Sequence, residues 1–237
     1  MFSLARRGLA AASGLTMAIA SLAACSPSSS SHGLAVVATT TQICDYVTQI
    51  AARSTDISLD KTDASGQSTH VGAAPEGAAL TMSLTCLLAP NASAHEHEMT
   101  PAQTKALSEA DVMAVSGVDL EHFLDDAVAS SGFKGRMVVT SGVLTAADID
   151  NPGTPDPEGA YTIDRGGERV NVAPWPFPPE EAGEEPEFRF DPHVWTSPKG
   201  AHVQVANLGA GLAAAAPDAA SSINAATASY LEDIDAL

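Results

Sequence analysis

Basic residues are scarce in this chain: Lys and Arg number 11 against 29 Asp and Glu, a formal charge of −18. Nucleic-acid binding draws on a basic footprint that releases counterions from phosphate. The balance here excludes that class, and with it a polybasic membrane-surface protein. No HExxH pair and no nucleophile elbow occurs, so the common hydrolase signatures are missing. Cysteine is nearly absent, at three residues, and none has the CxxC spacing of a zinc knuckle. The single long apolar run, Gly8–Ala20, is too short for a comfortable spanning helix. What remains is a chain of 237 residues with 45% hydrophobic content, enough for a real core in one or two domains.

The N-terminus reads as an address. Arg6 and Arg7 form a positive n-region ahead of Gly8–Ala20, and the run ends in Leu22-Ala23-Ala24-Cys25. Residues 1–24 are expected to be a lipoprotein signal peptide, with Cys25 lipidated as in a bacterial lipobox. The competing reading is an ordinary secretory signal with a chance cysteine. Residues 25–33, rich in Ser, read as a tether. Such a protein is exported and held at the extracytoplasmic face of the membrane by lipid rather than by a helix. Cys44 and Cys86 then form an even pair in an oxidising compartment, which reads as a disulfide or as two buried free thiols.

Along the chain, strand and helix patterns alternate. Leu34–Thr41, Leu80–Leu88, Val112–Ser116 and Arg136–Thr140 are β-branched apolar runs expected to be strands. Gln42–Arg53, Pro101–Ala110 and Leu120–Ser130 carry helical spacing. Thr100, Pro101 and Gln103 supply a capping box with proline at the first position. This order predicts an α/β fold, a parallel β-sheet flanked by helices. Ligands of such sheets bind beyond the carboxyl ends of the strands. Asp60–Gly77 reads as a loop, and residues 151–187 as a long acidic surface loop. Pro198–Ala216 and Asp218–Leu237 read as helices, the second broken off mid-pattern.

Seven histidines occur: His32, His70, His95, His97, His122, His193 and His202. Two sit in loops just ahead of helices, His95 in Ser93–Pro101 and His193 in Asp191–Pro198. Imidazole is a neutral, borderline-soft donor suited to zinc and other first-row metals. The spacing alone leaves metal binding and ordinary solvated or capping histidines both open. His97 reads as solvent-facing, His122 as a structural mid-helix residue, and Trp195 as a core anchor.

The segment Ser93-Ala-His95-Glu-His97-Glu-Met-Thr-Pro101 resembles the first site motif of the zinc/manganese substrate-binding lipoproteins of ABC transporters. Asp191-Pro-His193-Val-Trp195-Thr-Ser-Pro198 matches the second motif in full. Val36–Thr41, Leu107–Asp111 and Ser116–Glu121 are similar as well. The resemblance implies that His95 and His193 are metal ligands and that Zn2+, or alternatively Mn2+, is the transported ion. It further implies a permease of a metal uptake system as partner and no enzymatic step. Residues 34–220 correspond to the N-terminal metal-binding lobe, and 221–237 to the start of the helix that joins two lobes. The second lobe is not in the chain, so the third and fourth ligands have no counterpart here. A surface adhesin, a truncated nonfunctional remnant and a metal-assisted hydrolase are the competing readings.

Overall fold

The computed structural model describes residues 33–152, 156, 159–179, 183–184, 186 and 188–237. The expected signal peptide 1–24, Cys25, His32 and all of the expected tether but Gly33 lie outside the described residues. No helix among the described residues is long and apolar enough to cross a membrane.

The strands are β1 (Leu34–Ala38), β2 (Ile57–Thr62), β3 (Ser68–Gly72), β4 (Leu80–Cys86), β5 (Val112–Val115), β6 (Arg136–Val139) and β7 (Thr162–Asp164). They form one sheet in the order β3-β2-β4-β1-β5-β6-β7. Every neighbouring pair is parallel except the β2–β3 hairpin. The helices are α1 (Thr41–Ala52), α2 (Pro101–Ser108), α3 (Leu124–Ser131), α4 (Ala146–Asp150), α5 (Pro198–Ala215) and α6 (Ala220–Asp235).

The central strands β1, β5 and β6 are apolar on both faces because both faces are covered. Val36 and Ala38 of β1, with Val112 and Ala114 of β5, pack into one cluster with Ile43, Val47 and Ile50 of α1, Val205 and Leu208 of α5 and Ile223 of α6. Val37, Met113, Val115 and Met137 point the other way, toward Leu107 of α2 and Ala127 of α3. The period-2 alternation thus sorts residues between two cores rather than between core and water. Cys44 of α1 and Cys86 at the end of β4 are joined by a disulfide within the first cluster.

Crossovers from the carboxyl ends of the central strands leave in opposite directions. The chain leaves β1 through α1 on one face, and leaves β4 and β5 through α2 and α3 on the other. The crevice this opens above β1, β4 and β5 is where parallel sheets hold ligands. Helix α2 begins as its residues demand: Thr100 accepts from the Gln103 N–H, and the Gln103 side chain accepts from the Thr100 N–H.

Three stretches differ from the sequence-based expectation. Asp60–Gly77 is not a loop throughout: β2 continues to Thr62, and β3 pairs back from Ser68. The Asp63 carboxylate accepts from Ser65 and Gln67 N–H groups to close the turn between them. The helix expected from Leu120 begins only at Leu124. Residues 151–187 are not a plain surface loop either, since β7 adds a parallel strand to β6. Val170 is buried, and the Asn207 side chain of α5 accepts from the Gly167 and Glu168 N–H groups.

Candidate metal centre

His95 lies in the segment between β4 and α2, at the ligand-binding edge of the sheet. His193 arrives there from far along the chain, just before a single 3-10 turn (Val194–Thr196) that leads into α5. Ser197 caps α5 by accepting from the Gly200 N–H, with Pro198 at its first position. The two imidazole rings stand 5.6 Å apart, nearly edge to face. An ion about 2.1 Å from an imidazole nitrogen lies roughly 3 Å from the ring centre, so two ligating rings stand roughly 5 Å apart. A shift of a few tenths of an ångström separates the observed arrangement from that geometry.

Asp191 orients His193. Its Oδ1 lies 2.8 Å from His193 Nδ1 and accepts from the His193 N–H at 3.0 Å. With Nδ1–H engaged by the carboxylate, the neutral ring carries its lone pair on Nε2, where it can bind a metal.

Aromatic rings returning from residues 171–190 wall the site. Phe188 is buried, 4.8 Å from the His95 ring, and Trp175 stacks on His193 at 5.9 Å. Trp175 and Phe188 also pack on each other at 5.0 Å. Trp195, expected in the core, is instead only partly buried and lies edge-on to His193 at 5.3 Å. Such apolar walls lower the local dielectric and strengthen any charge interaction inside them. His95 faces a cleft of about 860 Å³ that His97, His122 and Asp126 also line. His193 and Asp191 line a second cleft of about 440 Å³.

His97 is half-buried rather than solvent-facing. Its ring lies edge-on to Phe123 at 4.9 Å, and burial lowers its pKa against the opposing hydrogen bond of Gln103. His122 is not in a helix: it occupies the exposed turn before α3, and its ring lies 6.0 Å from His95. His70 bonds Asp60 and the Ala73 carbonyl, and His202 bonds Asp235, both away from the site. Among the described residues no three His, Cys, Asp or Glu side chains converge as a ready-made metal set.

Beneath His122 is Glu121, fully buried. Its carboxylate accepts from the Thr39 hydroxyl and the Ser116 N–H, each at 2.6 Å, and from the Gly117 N–H at 3.0 Å. It therefore ties the end of β1 to the end of β5. Burial raises its pKa above the ordinary carboxylate range, against the lowering effect of these hydrogen bonds. Sequence reasoning missed Glu121, Trp175 and Phe188 as site residues. Only the run Ser116–Glu121 offered a signal, through its family likeness.

The mostly parallel sheet flanked by helices defines an α/β lobe, with His95 and His193 at the edge where such sheets hold ligands. The family model described as ZnuA, zinc-uptake complex component A, periplasmic, matches residues 77–237. The chain belongs to that family. Zinc-bound AdcA from Streptococcus pneumoniae shares 17% identity at a TM-score of 0.52, covering 86% of this chain and 31% of that one. A zinc-bound deletion mutant of ZnuA shares 16% at 0.53, covering 86% and 55%. The metal-dependent lipoprotein YcdH from Bacillus subtilis shares 18% at 0.50, covering 85% and 52%. At these identities the structures establish the fold. The chain spans between about a third and somewhat over half the length of these three.

Proposed function

We propose that this chain captures Zn2+, or alternatively Mn2+, outside the cytoplasm through the imidazoles of His95 and His193 and presents it to an ABC permease. The observation that carries this reading is the convergence of the two rings at the ligand-binding edge of the sheet, with Asp191 selecting the His193 tautomer. Imidazole donors favour zinc over manganese, which prefers carboxylate oxygen. Two imidazoles satisfy half of a tetrahedral zinc shell and leave the rest to other donors. The ion is cargo, so no bond of a substrate is broken. Lipid attachment at Cys25 would keep the receptor at the membrane surface, as the lipobox-like run suggests.

A competition titration against a chromophoric chelator tests the reading, with zinc and manganese on the parent chain, His95→Ala and His193→Ala. Zinc binding weakened in both variants supports it. Binding indifferent to both histidines overturns it.

A further inference from the structure

We propose that His122 is a third metal ligand, completing a three-imidazole face with His95 and His193. This rests on the two-histidine reading and extends it to a residue on a different loop.

Three loops bring these histidines to one edge: His95 follows β4, His122 follows β5, and His193 precedes α5. His95 is central, 5.6 Å from the His193 ring and 6.0 Å from the His122 ring. Phe188 backs both His95 and His122, at 4.8 and 5.5 Å. It thereby joins them along one apolar wall. His122 is exposed, so rotation of its side chain displaces no core residue. The 6.0 Å separation from His95 needs about an ångström of closure to reach the roughly 5 Å of two ligating rings, and sharing the ion also requires His122 to swing toward His193. A side-chain rotation supplies that movement.

The backbone under His122 is held far more firmly than an ordinary surface turn. Gly117, Val118 and Asp119 take φ of 85°, 58° and 56° in succession. A β-branched residue such as Val118 adopts that region only when its surroundings impose it. The Val118 and Asp119 N–H groups donate to Val143 and Leu144 carbonyls at 2.8 and 3.1 Å. Glu121 clamps the same turn from below through Ser116 and Gly117. The position from which His122 projects is fixed, so its approach to the ion is by rotation of the side chain.

The test compares the parent chain with His122→Ala, His95→Ala and His193→Ala. Zn2+ affinity is measured by chelator competition, and imidazole nitrogens are followed by NMR during zinc addition. The expected result is a loss of at least about tenfold in His122→Ala, since even partners outside the coordination sphere cost 10–100-fold when removed. The His122 nitrogen resonance should shift with those of His95 and His193 and saturate at one equivalent. If His122→Ala binds as the parent does while the other two variants fail, the third ligand is overturned and the two-histidine site stands. If all four chains bind alike, both readings fall.

Discussion

His193 is held by Asp191, two residues earlier, through both its backbone N–H and its ring Nδ1, which stands 2.8 Å from the carboxylate. One carboxylate thus sets the turn and the ring together. Replacing Asp191 with Asn keeps the size but removes the charge that stabilises the Nδ1–H tautomer. Zinc affinity should fall about 10–100-fold in Asp191→Asn, as for other partners behind metal-bound histidines. Chelator competition measures it. An unchanged affinity would mean that the carboxylate serves only the turn.

The chain has two tryptophans, and both lie against one histidine: Trp175 at 5.9 Å and Trp195 at 5.3 Å from the His193 ring. Intrinsic fluorescence therefore reports on the site almost exclusively. Co2+ should quench most of the emission in a saturable titration, Zn2+ should reverse it by competition, and His193→Ala should abolish the response. Bound Co2+, seen by visible absorption without quenching, would place the ion elsewhere.

Glu121→Ala leaves the buried Ser116 and Gly117 N–H groups without their acceptor and should cost about 2–4 kcal/mol in urea unfolding. Glu121→Gln keeps an acceptor and should cost less. The pH dependence has a definite sign. Burial raises the folded-state pKa of Glu121 above 4.5. The folded state then holds the proton more tightly than the unfolded chain. That contribution is complete below the unfolded value and is lost as pH rises through the folded one. The stability of the parent relative to Glu121→Gln should decline as pH is raised above 4.5. A difference that grows with pH would refute the assignment.

The Cys44–Cys86 disulfide closes a loop with a sequence separation of 42 and pins α1 to the end of β4. On the chain-entropy model such a link contributes about 4 kcal/mol. Reduction, or the double change Cys44→Ser with Cys86→Ser, should lower the urea midpoint accordingly. Equal stability of the reduced and oxidised chains would count against the bond.

The alternation of β-branched runs with capped helical segments was sufficient for the α/β class, because local propensity and burial agree there. The capping box at Thr100 and Gln103 formed as its residue types require. Expectation failed where long-range pairing decides. β2 and β3 are stabilised by each other, and β2 by β4, so Asp60–Gly77 in isolation looked like turn chemistry. β7 exists because β6 offers it an edge and Arg136 pairs with Asp164 across them. Leu120–Phe123 has helical spacing, yet Glu121 uses its carboxylate to hold the ends of two strands, which delays the helix to Leu124.

The two histidine motifs were legible from chain order and family likeness, since their residues lie within short segments. Their meeting was implied only by that likeness, because nothing in either segment encodes the distance between them. The sheet decides it, by bringing the loop after β4 and the turn before α5 to one edge. The same holds for His122, Trp175 and Phe188, whose helical or acidic contexts gave no sign of a shared wall. A side chain's type is local, but its neighbours are set by burial of the two cores, and burial is a property of the folded chain as a whole.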